Sequence, residues 1–246
     1  MVQAALNTPV KSMPFATAAL NGDMNIKVKI VYMTIDLALR WHRTVQPLIN
    51  RHYTTASASP TGQRTRADVG WDWRLIFSLS KIYAAGSFAQ PRSGPSVALA
   101  MVVDTGATGW FPIGMLTMVP RLHTNALGLQ RDRGFGWFLA DAPSETYVGV
   151  LKCPKVREVA SALLDCGIQA SKDSGQDGSF LLHADPSGGD RLKDFYRVSC
   201  RMTQLPPNGP PVGVIVLFVR IDALSLETQH PCVLPAGDCS AAGPAN

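Results

Sequence analysis

Residues 97–103 (VALAMVV) form an uninterrupted apolar run. A turn-forming stretch, 104–109 (DTGATG), follows, and then a second apolar run, 110–119. A strand with no polar alternation is one buried in a sheet, and two such runs around a short turn make a hairpin. That hairpin sets the frame into which the rest of the chain must fit. Upstream, 26–33 (IKVKIVYM) alternates and is β-branched, so it reads as a strand. Thr34 then offers an N-cap for a helix over 35–50, with Ile35, Ala38, Trp41, Val45, Leu48 and Ile49 on one stripe and Pro47 as a kink or stop. A loop over 54–64 precedes a second helix over 68–85, which Gly86 ends.

Downstream of the hairpin, 121–133 is polar and irregular, and Arg131-Asp132-Arg133 reads as a solvated loop. Residues 135–140 give a short strand and 146–153 another, ended by Pro154. A helix over 156–170, a strand over 179–184, a helix over 190–199 and two strands over 201–205 and 212–221 complete the order. This is an α/β or α+β layout around a mixed sheet. Residues 1–23 are weakly patterned and read as an arm. Residues 24–230 read as one domain with an insert at 120–145, and 231–246 as a tail. A doubly wound dinucleotide fold needs a glycine fingerprint after the first strand, and Met33-Thr34-Ile35-Asp36 has none.

Composition narrows the class. Hydrophobic residues make up 46%, enough for a sizeable core, so wholesale disorder is excluded. No stretch has the roughly 20 apolar residues of a transmembrane helix, and the N-terminus lacks a signal-peptide layout, so a cytoplasmic protein without membrane contact is expected. The net charge of +5 favours an anionic partner, while the scatter of Arg and Lys argues against a nucleic-acid tail. The five cysteines and five histidines show no metal spacing, so no metal is expected.

The stretch 152–202 carries the chemistry. A strand ending at Cys153-Pro154 and a helix opening after Arg157 would offer unpaired backbone N–H groups and a positive dipole end, with Lys155 and Arg157 beside them and the small Ala160 and Ala162 permitting close approach. Such a junction cradles a pyrophosphate. Lys152-Cys153-Pro154-Lys155-Val156-Arg157-Glu158-Val159-Ala160-Ser161-Ala162 resembles the Val-x-Pro-x-x-(Arg/Gln)-x-x-Gly-x-(Gly/Ala) motif of the GNAT acetyltransferase superfamily. In family order, Phe180-Leu181-Leu182-His183-Ala184 is similar to the next strand. The segment from Leu192 through Phe195-Tyr196 to Cys200-Arg201 is similar to the Leu-x-x-Phe-Tyr-x-x-x-Gly-Phe helix and turn. Two glycines of the pattern are replaced, by Ala160 and Cys200.

The resemblance implies a mixed, mostly antiparallel sheet flanked by helices, with a V-shaped splay between central strands. It implies acetyl-CoA or another acyl-CoA as co-substrate, held by Leu151, Cys153, Lys155, Arg157, Val159, Ala160, Ser161 and Ala162. It implies transfer of the acyl group to an amine by direct attack. Tyr196 would protonate the leaving thiolate, and Glu145, ahead of Asp141 and His183, would serve as base. The acceptor stays open between a small amine, a protein amine and an RNA-linked amine, and the oligomeric state is open, a homodimer included. Trp71 and Trp73 would either line the acceptor entrance or pack the helix on the sheet. Two other readings stand beside this one: a non-catalytic GNAT-like binding or regulatory protein, and an aspartic peptidase using Asp104 of Val102-Val103-Asp104-Thr105-Gly106, a stretch that as a plain hairpin turn needs no catalytic role.

Overall fold

Alternating and continuous apolar runs become strands of one mixed sheet in a computed structural model, which describes residues 15–19, 25–59, 64–89, 92–106, 109–124, 131–205 and 216–220. The strands are β1 (Phe15–Ala19), β2 (Asn25–Tyr32), β3 (Val97–Asp104), β4 (Trp110–Thr124), β5 (Arg131–Asp141), β6 (Phe180–Ala184), β7 (Thr203–Gln204) and β8 (Val216–Arg220). Their spatial order is β1-β2-β3-β4-β5-β6-β8-β7. Within this sheet, among the described residues, β5 pairs with β6 in parallel and the other strand pairs are antiparallel. The fold is therefore a mixed, mostly antiparallel sheet flanked by helices, as the sequence implies.

The β3–β4 hairpin lies at the centre, and its apolar runs are buried through Val103 and from Phe111 to Val119. One side is covered by α1 (Ile35–Thr44), α2 (Gln46–His52) and α3 (Trp73–Gly86), whose Trp41, Ile49 and Trp73 are fully buried. Thr34 caps α1 by accepting from the Leu37 N–H (3.3 Å), and Pro47 falls in the first turn of α2, where its missing N–H costs no bond. The other side is covered by α5 (Val159–Asp173). It sits close because β4 has Gly114 beneath it: a Cβ there would lie 2.4 Å from Val159 Cγ1.

Several boundaries differ from expectation. Helix α3 starts at Trp73, not near 68, because Asp72 supplies the cap, accepting from the Arg74 and Leu75 N–H groups. Part of the expected arm, Phe15–Ala19, is an edge strand paired with β2. The expected insert at 120–145 is largely sheet: β4 runs on to Thr124 and β5 begins at Arg131. Arg131, Asp132 and Arg133 are therefore not a solvated loop. Arg131 pairs with Asp177 (3.1 Å), Asp132 with His123 (2.8 Å), and Arg133 is 1% exposed. The tail over 231–246 lies outside the described residues, as do residues 206–215.

The largest correction concerns 146–153. It is not a strand but α4 (Ser144–Thr146) running into a π-helical turn, Tyr147–Leu151, stopped by Lys152 at φ 55°. The place in the sheet is filled by β5 instead. The β-branched run misleads because burial does not alternate along it: Tyr147 is 1% exposed, while Val148 and Val150 are 72% and 42% exposed. A second π-turn, Phe195–Ser199, continues α6 (Gly189–Asp194). Its extra residue moves the left-handed turn position from Cys200 (φ −95°) to Arg201 (φ 52°). Cys200 thus stands without strain where the family pattern has glycine. Arg201 carries the strain instead, so Arg201→Gly is expected to raise stability by about 1 kcal/mol in a urea titration.

Candidate active site

The parallel ladder between β5 and β6 is short. Gly134 pairs with Phe180, Phe135 with Leu181 and Gly136 with Leu182, and no pairing follows, so residues 137–141 of β5 leave β6 behind. This is the expected splay, formed by β5 and not by 146–153. A bulge lies at the start of the free segment, because Gly136 opposes Met118 while Phe138 opposes Thr117. A bulge resets which backbone groups point to which neighbour. Before it, the Gly134 N–H donates to Ser179 on the β6 side (3.0 Å); after it, the Ala142 N–H donates to Ile113 on the β4 side (2.8 Å). By alternation, the N–H and C=O of Leu139 and Asp141 face the opening. The Asp141 carbonyl accordingly accepts from Arg66 across it (2.7 Å).

The opening holds a cavity of about 470 Å³. Residues 136–141 of β5 form one wall, and Leu182, His183 and Tyr196 form the opposite one. At one end stand Lys155, Glu158, Val159, Ala160 and Ser161, the start of α5. Glu158 precedes that helix in left-handed conformation (φ 60°) and makes no side-chain cap bond. The Ala162 N–H bonds to the Glu158 carbonyl (2.9 Å), so the N–H groups of Val159, Ala160 and Ser161 have no carbonyl of their own helix to bond. The positive end of a helix dipole and three such donors thus open on a cavity, an arrangement suited to an anion. Ala160 keeps helical backbone geometry, and its methyl group lines the cavity without closing it.

Arg66 organises the lining next to Lys155. Its guanidinium donates to both Asp68 carboxylate oxygens (2.7 Å each) and to Asp141 Oδ1 (3.2 Å), and Lys155 approaches Asp141 at 3.5 Å. Burial opposes the Arg66 charge, but the Asp68 and Asp141 carboxylates outweigh it and raise the pKa above its ordinary value. Tyr53, Trp71 and Phe138 also line the cavity, with Trp71 edge-on to Phe138 at 5.0 Å. Trp71 therefore lines the cavity while packing against the core, and Trp73 lies within the core.

Lys155, Val159, Ala160, Ser161 and Tyr196, all expected from sequence, meet at this cavity. Arg157 is exposed, and Arg157, Leu151, Cys153, Ala162 and Glu145 are not among its lining residues. With 146–153 off the sheet, Leu151 and Cys153 offer no strand edge, and the Cys153 N–H is taken by the Tyr147 carbonyl (3.1 Å). Tyr53, Arg66 and Trp137 line the cavity without having been singled out for it. Asp104 serves as a turn: its Oδ1 accepts from the Gly106 N–H (2.9 Å), and it is exposed at the end of β3. Among the described residues no group of three or more His, Cys, Asp or Glu could hold a metal, and no helix is long and apolar enough to cross a membrane.

Burial above all, with Cys200, Asp68 and Asp185 adding to it, raises the Tyr196 phenol above its ordinary pKa, and burial does the same for Tyr147. An unfolded tyrosine loses its proton near pH ~10, whereas these keep theirs longer when folded. In that window the folded state binds more protons, so stability falls as pH rises. Thermal melts between pH 8 and 11 are expected to show the loss begin near ~10.

No family model and no curated protein matches the chain. Several solved structures are similar to it. An uncharacterized protein from Bacillus halodurans shares 12% identity over 80% of this chain and 85% of its own, with a TM-score of 0.44. An acetyltransferase from Agrobacterium tumefaciens shares 11% over 83% of this chain and 98% of its own, at 0.42. A mutant of the AtaT toxin, bound to acetyl-CoA and the C-terminus of the antitoxin AtaR, shares 11% over 82% of this chain and 99% of its own, at 0.42. The solved structures to which this chain is similar thus include an acetyltransferase and a toxin with acetyl-CoA bound.

Proposed function

We propose that the protein is an acyl-CoA-dependent acyltransferase that moves an acetyl group to an amine. The observation that carries this reading is the splay of β5 from β6, with a cavity that runs from the free N-terminus of α5 to the Tyr196 phenol. A coenzyme A pyrophosphate matches the N–H groups of Val159, Ala160 and Ser161 with Lys155 beside them. The amide groups of its pantetheine arm match the outward N–H and C=O groups of Leu139 and the outward N–H of Asp141, which can bond to it as a neighbouring strand would. A thioester placed there sits beside the bulged backbone, whose fixed N–H dipole stabilises the oxyanion formed when an amine attacks.

Tyr196 then acts as proton donor to the departing thiolate. Its raised pKa keeps it protonated through the neutral range, which an acid requires. Attack is direct, with acetyl donor and amine held together, so positioning supplies much of the rate. The experiment is thiol release from acetyl-CoA in the presence of a panel of primary amines, with mass spectrometry of the products. Acetylated amine matching the thiol released is the expected result. Tight acetyl-CoA binding without turnover for any amine would instead favour the non-catalytic reading.

A further inference from the structure

Glu145 does not line the cavity, but it touches a residue that does. Tyr53, at the end of α2, is 7% exposed and lines the cavity. Its hydroxyl donates to Glu145 Oε2 (3.2 Å), and Arg64 donates both to the Tyr53 hydroxyl and to Glu145 Oε1 (3.2 Å). The Glu145 side chain is 22% exposed. The three groups thus bridge the cavity wall and solvent. The loop that carries Arg64 is pinned to Tyr53's neighbour: the Thr54 N–H donates to the Arg64 carbonyl (3.1 Å), and the Arg66 N–H to the Thr54 carbonyl (2.9 Å). The guanidiniums of Arg64 and Arg66 lie 4.6 and 5.3 Å from the Tyr53 ring.

We propose, resting on the acyltransferase reading, that Tyr53 and Glu145 form a proton exit for the acceptor amine, with Tyr53 the group that touches substrate. As the nitrogen attacks the thioester carbon, the N–C bond forms and the C–S bond breaks. The proton lost by nitrogen passes to Tyr53 Oη, while the proton of Tyr53 passes to Glu145 Oε2 and from there to solvent. The thiolate takes its proton from Tyr196, which recovers one from water. Overall, amine and acetyl-CoA give amide and free thiol.

The electrostatics set the resting proton of each group. Glu145 is faced by Tyr53, Arg64 and His52. Burial alone would raise its carboxyl, but its hydrogen bonds to its own backbone N–H and to Tyr53, with the Arg64 charge beside it, outweigh that and hold it below the usual carboxylate range. Tyr53 is faced by Glu145, Arg64 and Arg66, and burial above all raises its phenol. At rest near neutral pH Tyr53 therefore holds its proton and Glu145 is ionised, and a proton crosses Tyr53 only in concert with its loss from the amine nitrogen.

The test compares Tyr53→Phe, Glu145→Gln and the double variant, with acetyl-CoA and glycinamide as the amine and thiol release as the readout. Acetyl-CoA affinity is measured by calorimetry on the same samples. Each single change is expected to lower kcat roughly ten- to a hundred-fold with acetyl-CoA affinity retained. The double variant should be no slower than the slower single, because the two groups act in series. Added imidazole should restore part of the rate in Glu145→Gln, which a purely structural defect would not allow. Glu145 is half-buried and Gln keeps an acceptor for Tyr53, so that variant folds even if Tyr53→Phe does not. Unchanged kcat in folded Glu145→Gln, or losses that multiply in the double variant, would overturn the exit. Failure of the wild type to bind acetyl-CoA would overturn the acyltransferase reading itself.

Discussion

Tyr196→Phe is expected to lower kcat roughly ten- to a hundred-fold while the KM for acetyl-CoA stays within about two-fold. The ring remains, and with it the contacts to Phe195 and Phe218, whose centroids each lie 5.4 Å away. Only the phenolic proton is removed. A coenzyme A thiolate leaves partly unaided, which places the loss at the low end for general acid catalysis. Steady-state kinetics and a melting curve on the same sample separate two roles. A lowered melting temperature with intact kcat would make Tyr196 a packing residue and leave the acid to another group.

Phe180→Ala is expected to cost about 3–5 kcal/mol of stability, the range for removing a fully buried aromatic ring. Phe180 is 0% exposed and opens β6 where it pairs with β5 on one side and β8 on the other. Gly134 faces it, and a Cβ there would lie 2.5 Å from Phe180 Cδ2. The ring therefore fills the base of the splay, and its loss leaves a cavity where the two strands part. Equilibrium unfolding in urea measures the cost. A loss under about 1 kcal/mol would mean that the base of the splay repacks and that the ring does not hold it.

That same close approach explains what the sequence conceals. The chemistry of β5 reads poorly because Gly134 and Gly136 interrupt its apolar pattern, yet Gly134 is required by the ring above it. Conversely, Val148 and Val150 read as strand yet lie exposed on a π-turn, since β propensity reflects a half-buried setting that they do not occupy. The central hairpin and the Thr34 cap are legible because local pattern and tertiary role agree there. The start of α5 is legible through its small residues, and Tyr196 through the resemblance of the Phe195-Tyr196 block to the family pattern. Tyr53 and Arg66 are not legible, since the pairing of Thr54 with the 64–66 segment brings them to the cavity, and no sequence periodicity marks it.

The central claim is that the free N-terminus of α5 and the splayed β5 hold an acyl-CoA. Ala160 lines the cavity at that point, half-buried, on the first turn of the helix. A glutamate there would place a negative charge and added bulk against the site of the pyrophosphate. The direct measurement is a calorimetric titration of wild type and Ala160→Glu with acetyl-CoA, each checked for folding by circular dichroism. The expected result is binding of one acetyl-CoA per chain by the wild type and an affinity at least about ten-fold weaker in the variant, the ~1.4 kcal/mol scale of a charge contact. No binding by the folded wild type, or equal affinity in the two proteins, would contradict it.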